Sequence, residues 1–133
     1  IGISESNNTL ALFDRANELG ARWHCDTDLF RWNLDAVAES IAEFAQNVDT
    51  VHLGIDLDVL PASTMPAVSA PAARGVELDT VLPIVAWIVR SIKVAAIDLV
   101  EFCPRLDSDG NAARVAARLA WQVVTDWGKE GGQ

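Results

Sequence analysis

The sequence predicts an α/β fold in which a parallel β-sheet lies between two layers of helices, a three-layer α-β-α architecture. Strand-like and helix-like patterns alternate along the 133 residues, and the links between most of them are short. This alternation is typical of βαβ units, whose strands run parallel. The two strongest strand candidates, residues 50–55 and 93–100, are mostly apolar. Strands of this kind are expected to be buried on both faces of the sheet.

The first part of the chain is predicted to contain two short strands and two helices. Residues 1–4 and 22–25 have the composition of short strands. Between them, residues 7–9 offer N-cap side chains for a helix that stops at Gly20, because glycine favours the end of a helix. The second helix is indicated by apolar residues at helical spacing, namely Leu34, Val37, Ile41 and Phe44.

A strand, a loop and a helix are predicted in the middle of the chain. Residues 50–55 form the strand, and a loop rich in proline and alanine extends over residues 60–75. Asp79 is expected to cap a helix that continues to about Arg90. Pro83 is placed in the first turn of this helix, where proline is tolerated because the first N–H groups have no partner within the helix.

The last part of the chain is predicted to contain a strand and a helix. Residues 93–100 form the strand, and the helix extends over about residues 111–127. The glycine-rich residues 128–133 are expected to be a disordered tail. The sequence therefore predicts one domain, residues 1–127. A strand that begins at Ile1 with no lead-in suggests a piece of a longer protein.

Composition excludes several classes of partner. The formal net charge is −9, and lysine and arginine do not cluster. Nucleic acid and anionic membrane surfaces are therefore not expected to bind, and no apolar run is long enough to span a bilayer. The two cysteines, Cys25 and Cys103, are predicted to be buried free thiols, which fits a reducing, cytoplasmic location.

Asp56 and Asp58 directly follow the central strand, at the edge where an open parallel sheet binds ligands. On an extended strand, residues two apart point the same way with Cα atoms about 6.6 Å apart. Carboxylates leaning inward from that spacing fit a pair of metal ions about 3.5–4 Å apart. Their oxygens suit Mn²⁺ or Mg²⁺. The alternative is that both acids only cap a loop.

Glu101 ends the next strand and offers a carboxylate for a cationic substrate group. The alternative is a surface salt bridge. Asp98 is expected to satisfy nearby backbone or arginine donors instead. His52 lies four residues before Asp56, roughly 13 Å along a strand, which is too far to share an ion. It is predicted to be a hydrogen-bonded core residue, and His24 is predicted to be structural.

Several segments resemble the ureohydrolase superfamily of arginases and agmatinases, and they are most similar to its formimidoylglutamase branch. Residues 51–58, VHLGIDLD, resemble the family strand that ends in Asp-x-Asp, and residues 66–71, PAVSAP, resemble the loop that follows. Residues 97–104, IDLVEFCP, resemble the Asp-x-x-Glu-x-x-Pro strand, and residues 109–114 resemble the start of the final helix. The resemblance covers almost the whole chain. It implies that residues 1–127 are the C-terminal part of an arginase-like domain.

The resemblance also implies a function. The complete enzyme is expected to be a binuclear Mn²⁺ hydrolase that converts N-formimidoyl-L-glutamate to L-glutamate and formamide in histidine degradation. Asp56 is expected to bridge both ions, Asp58 to bind one, and Glu101 to hold the formimino group. Asn7 lies near the position where related enzymes bind the amino-acid end of the substrate. A homo-oligomer is expected by analogy.

The family's histidine and Asp-x-His-x-Asp ligands, and its acid–base histidine, precede this segment. The resemblance therefore implies that the chain alone binds Mn²⁺ weakly, holds no catalytic residue and is inactive.

Three alternatives stay open. A guanidino substrate, as in arginases and agmatinases, is one, although those enzymes typically have Asp-Pro where Leu60-Pro61 stands here. A haloacid dehalogenase phosphatase also uses a strand that ends in Asp-x-Asp, but its motif lies on the first strand, with threonine where Leu60 stands. A non-catalytic assembly or binding fragment is the third.

Overall fold

The computed structural model describes residues 1–30 and 33–127. The predicted disordered tail, residues 128–133, lies outside the described residues. The helices are α1 (Leu10–Glu18), α2 (Leu34–Ala45), α3 (Leu78–Ser91) and α4 (Asn111–Asp126), and the strands are β1 (Val51–Asp56) and β2 (Val94–Val100). Short 3₁₀ turns occupy Glu5–Asn7, Asp26–Asp28, Leu57–Val59 and Pro104–Leu106. The predicted α/β class is confirmed.

The two strands β1 and β2 pair in parallel, as predicted. Leu53 lies opposite Ile97 and Ile55 lies opposite Leu99, so the four side chains share one face of the sheet. They belong to a hydrophobic core that α3 and α4 complete with Val81, Val85, Ala116 and Leu119, among others. Helix α3 contacts both α2 and α4, so these three helices form one layer over this face.

The opposite face of the sheet is open in the described chain. His52, Gly54 and Asp56 of β1 are exposed, while Ile55 between them is 5% exposed. The burial of β1 therefore alternates along the strand, in contrast to the burial on both faces that its apolar sequence predicts. Among residues 1–30 and 33–127, none of the helices has the length and apolar character needed to cross a membrane.

The two short strands predicted near the N-terminus are reduced to one parallel bridge, between Ile3 and Cys25. The N–H groups of Gly2 and Ile3 both donate to the carbonyl oxygen of His24, at 2.8 and 3.2 Å. Beyond Ile3 the chain enters the turn Glu5–Asn7, so the ladder does not continue. The carbonyl oxygen of His24 therefore holds this bridge, while the predicted structural role of its side chain stays a prediction.

Helix α1 ends as its sequence predicts. Gly20 adopts φ +68°, and its N–H donates to the carbonyl oxygen of Asn17 at 3.0 Å. The N–H of Ala21 reaches back to the carbonyl oxygen of Ala16 at 2.9 Å. These two bonds form a Schellman motif, in which glycine avoids the steric cost of a left-handed backbone.

Helix α3 begins earlier than predicted. Glu77 stands at the N-cap, in place of Asp79, and its carbonyl oxygen accepts the N–H groups of Thr80 and Val81 at 2.8 and 3.0 Å. Pro83 is consequently the sixth helical residue and lies in the second turn. The predicted first-turn position is wrong. Pro83 lies on the exposed side of the helix, where a proline still removes one backbone hydrogen bond.

Helices α3 and α4 are joined by a polar contact inside the helix layer. Asp126 is only 2% exposed and accepts a hydrogen bond from Arg90 Nη2 at 2.7 Å. The Gln122 side chain also donates to this carboxylate. Among the described residues, both cysteines are free thiols as predicted. Cys25 is buried as predicted, whereas Cys103 is only half-buried.

Candidate metal centre

Asp56 and Asp58 lie on either side of a sharp change in direction. Asp56 is the last residue of β1, and Leu57, which is fully buried, starts the turn Leu57–Val59. The N–H of Asp58 donates to Asp56 Oδ1 at 3.2 Å. The spacing of an extended strand therefore does not apply to this pair, because the chain already turns at Leu57. Asp56 does cap the turn, but it uses one carboxylate oxygen for this bond.

The negative charges of two other acids, Asp56 and Glu101, act on Asp58. The pKa of Asp58 is raised to about 6, first by burial and then by the negative charge of Asp56. A hydrogen bond with Asp56 and the charge of Glu101 raise it further. Carboxylates that repel one another are stabilised by a cation placed between them. This donor set, hard and anionic, therefore fits the chemistry of Mn²⁺ or Mg²⁺.

Glu101 follows β2 and has a left-handed backbone, with φ +72°. It is the only non-glycine residue with positive φ in the described chain. Such a conformation costs roughly 1–2 kcal/mol for a residue with a Cβ. It persists where surrounding contacts impose it, and it is frequent at functional sites.

Ser69 supplies the contact that orients Glu101. Its hydroxyl donates to Glu101 Oε2 at 2.5 Å, and its N–H approaches the same oxygen at 3.4 Å. The residues are 32 apart in sequence. The sequence identified Ser69 as part of the loop motif PAVSAP but indicated no role for its side chain.

The loop that carries Ser69 is fixed at several points. The carbonyl oxygen of Ala67 accepts the N–H of Cys103 at 2.8 Å, which ties the loop to the chain just after Glu101. Val68 is 1% exposed and belongs to the core. At the far end of the loop, Gly75 has φ +63°, and a Cβ there would lie 2.6 Å from the backbone of Leu60. Glycine is required at this turn.

His52 and Asp98 lie on the open face of the sheet. His52 Nε2 lies 2.6 Å from Asp98 Oδ2, and both side chains are substantially exposed. The prediction of a core histidine is wrong, because β1 presents residue 52 to solvent, although the predicted hydrogen bond exists. Asp98 pairs with this histidine and not with an arginine. Gly54 gives Asp98 room, since a Cβ there would lie 3.3 Å from Oδ1.

Asn7 lies in the exposed turn Glu5–Asn7. Its Oδ1 accepts a hydrogen bond from the Ser6 hydroxyl at 3.2 Å. This contact joins two neighbouring residues and does not test the predicted role of Asn7 in substrate binding. Among the described residues, no three acidic, histidine or cysteine side chains are placed to hold a metal ion together. The metal-binding roles of Asp56 and Asp58 stay predictions.

Comparison with known proteins places the chain in a family. A model of the arginase family matches residues 1–125. The chain is 51% identical to the formimidoylglutamase of Chromobacterium violaceum over 123 residues, which cover 92% of this chain and 40% of that protein. It is also 51% identical to the formimidoylglutamase of Citrobacter koseri over 126 residues, 95% of this chain and 39% of that protein. The chain thus spans about 40% of the length of these relatives.

Solved structures show the same fold. The formimidoylglutamase of Bacillus subtilis superposes with a TM-score of 0.86 at 27% identity, over 95% of this chain and 40% of that one. The formiminoglutamase of Trypanosoma cruzi, whose structure is described with Mn²⁺, superposes with a TM-score of 0.76 at 21% identity, over 91% of this chain and 41% of that one. The predicted arginase-like fold is confirmed. By the match of its sequence over residues 1–125, the chain belongs to the arginase family.

Proposed function

We propose that this chain is the C-terminal part of a formimidoylglutamase, which hydrolyses N-formimidoyl-L-glutamate to L-glutamate and formamide. The observation that carries the proposal is the 51% identity to formimidoylglutamases over nearly the whole chain. The acids Asp56, Asp58 and Glu101 support it, because they lie where β1 and β2 end. Ligands bind at the carboxyl ends of strands in such sheets.

Each acid has a proposed role. Asp56 would be shared by two Mn²⁺ ions, since only one of its oxygens caps the turn. Asp58 would bind one ion, and its raised pKa means that bound metal competes with a proton for this carboxylate. Metal ions held by these residues would supply a water-derived nucleophile at neutral pH.

Glu101 would hold the cationic formimino group of the substrate, with Ser69 fixing the orientation of its carboxylate. Asn7 would contact the amino-acid end. The substrate is a small molecule, and we place the enzyme in the cytoplasm, in histidine degradation, as a homo-oligomer. These roles are proposed because the residues occupy positions that match the motifs of the family.

The chain by itself is proposed to be inactive. Asp56 and Asp58 would supply two carboxylates to the metal ions, and Glu101 would bind the substrate. Most ligands of a binuclear centre would then have to come from outside the described residues. The chain alone should therefore bind Mn²⁺ weakly and release no formamide.

A guanidino hydrolase is the second candidate, because Glu101 would also attract a guanidinium group. A non-catalytic binding fragment is the third. It differs from the other two because it requires neither metal nor turnover in the complete protein.

The test uses the complete protein that contains this chain. After loading with Mn²⁺, formamide and urea are measured with N-formimidoyl-L-glutamate, L-arginine and agmatine as substrates. We expect formamide from the first and negligible urea from the others. Asp56→Asn should lower the bound Mn²⁺ and abolish turnover, while Glu39→Gln, an exposed change on α2, should leave both unchanged. Urea release without formamide would favour the guanidino hydrolase, and a metal-free, inactive protein would favour the binding fragment.

A further inference from the structure

The carboxylate of Glu101 is used asymmetrically. Ser69 directs both its hydroxyl and its N–H at Oε2, at 2.5 and 3.4 Å. Within residues 1–30 and 33–127, no hydrogen bond to Oε1 is formed. One oxygen is therefore committed to the protein, and the other is available to a ligand.

The two candidate substrate groups differ in what they require of this carboxylate. A formimidoyl group carries a hydrogen on its central carbon, whereas a guanidino group carries a further amino group there. Both cations can form a two-oxygen fork with a carboxylate, but a guanidinium carries N–H donors on three nitrogens and a protonated formimidoyl group on two. The guanidinium therefore requires more acceptors. A donor left without an acceptor in a closed site loses binding energy.

We infer that Ser69 is a specificity-determining positioning residue that makes Glu101 a single-oxygen acceptor, favouring formimidoyl over guanidino substrates. The inference rests on the proposed function, since it concerns the choice of substrate at that site. Ser69 acts through Glu101 and not on the reacting atoms. Removal of its hydroxyl leaves only the longer contact from the Ser69 N–H, at 3.4 Å, so that Oε2 can accept from the additional amino group of a guanidino substrate.

The structure allows the hydroxyl to be removed without losing the loop. Ser69 is exposed, and the loop is held by the bond between Ala67 and Cys103 and by the buried side chain of Val68. These contacts do not involve the serine side chain. Ser63 is an exposed serine of the same loop and provides a matched control.

The experiment compares two glutamate derivatives that differ only in this group. With the complete Mn²⁺-loaded protein, kcat/KM is measured for N-formimidoyl-L-glutamate by formamide release and for N-carbamimidoyl-L-glutamate by urea release. Ser69→Ala is expected to shift the ratio of the two values toward the guanidino substrate by about tenfold or more, the size associated with one charge-assisted hydrogen bond. Ser69→Thr, which keeps the hydroxyl, and Ser63→Ala should retain the wild-type ratio.

The outcomes separate this inference from the proposed function. If the wild type releases formamide but Ser69→Ala leaves the ratio unchanged, Ser69 does not set specificity and the proposed function stands. If the wild type releases no formamide, both are overturned. If Ser69→Ala does not fold, inhibition of the wild type by the free cations decides. Formamidinium should then inhibit at a lower concentration than guanidinium, and equal or tighter inhibition by guanidinium would contradict the inference.

Discussion

The N–H of Asp58 lies 3.2 Å from Oδ1 of Asp56, so the two proposed metal ligands are held together by the backbone before any ion binds. The same proximity brings their charges close and contributes to the raised pKa of Asp58. Preorganisation and repulsion are therefore two results of one turn. Both can be measured in the metal-free protein.

Asp56→Asn is expected to lower the pKa of Asp58 from about 6 toward the ordinary value of 3.8. The substitution removes the negative charge and keeps the shape of the side chain. Burial is the largest cause of the shift and remains, so the pKa should stay above the ordinary value. Carboxyl ¹³C NMR titration of the metal-free protein measures it. Glu39→Gln serves as the control, and an unchanged pKa in Asp56→Asn would exclude the electrostatic coupling.

The stability of the metal-free protein should depend on the charge of Asp58. Its pKa is higher in the folded state, about 6, than the 3.8 of an unperturbed group, so the folded state retains a proton that the unfolded state has lost. The contribution of this group is consequently present below pH 4 and is lost as the pH rises to about 6. Because Asp58 is partly solvated, the change should be less than about 1 kcal/mol.

Urea denaturation at pH 4.5 and 7 of the wild type and of Asp58→Asn, both in the presence of a chelator, measures this contribution. The free energy of unfolding of the wild type should fall more across this range than that of the variant. The opposite order would show that Asp58 is not raised in pKa.

Arg90→Met is expected to lower the free energy of unfolding by about 2 kcal/mol, because the nearly buried carboxylate of Asp126 loses a charged partner. The bond from Gln122 remains and limits the loss. Arg15→Met is the matched control, since Arg15 and Glu18 form an exposed pair that should contribute less than about 0.5 kcal/mol. Thermal unfolding of the two variants distinguishes these contributions. Equal losses of unfolding free energy in the two variants would mean that the burial of Asp126 does not strengthen its pair with Arg90.

Gly75→Ala should be more destabilising than Gly20→Ala. Both glycines have positive φ, but a Cβ at Gly75 would lie 2.6 Å from backbone atoms, whereas nothing lies within 4 Å of a Cβ at Gly20. We expect a loss of about 1 kcal/mol at Gly20 from backbone strain alone. At Gly75, steric overlap should add about 1–3 kcal/mol. Chemical denaturation provides the comparison, and similar losses would show that the loop can move to accept a side chain.

Local signals were sufficient for most of the fold. The apolar spacing of α2 and the near-continuous apolar run of β2 predicted both elements within a few residues, because each pattern reflects its own packing. Gly20 marked the end of α1 for a reason confined to one turn. The positions of Asp56 and Glu101 at the ends of β1 and β2 also followed from strand patterns alone.

What the sequence did not predict depends on contacts between distant segments. The hydrogen bond from Ser69 to Glu101 joins residues 32 apart, and no local pattern encodes it. The left-handed backbone of Glu101 was not predicted for the same reason, because glutamate is not a residue type that indicates a positive φ. Helix α3 starts early because the N–H groups of Thr80 and Val81 bond to the carbonyl oxygen of Glu77. The sequence around Pro83 does not indicate this partner.

The pairing of His52 with Asp98 on the open sheet face has an energetic consequence. In its present surroundings water competes for both partners, so the bond at 2.6 Å contributes little to folding. Any segment that shields this face removes the competing solvent and lowers the local dielectric, which strengthens a satisfied pair and penalises a broken one. If a further segment covers this face, the contact between His52 and Asp98 would contribute more to stability than it does in contact with solvent.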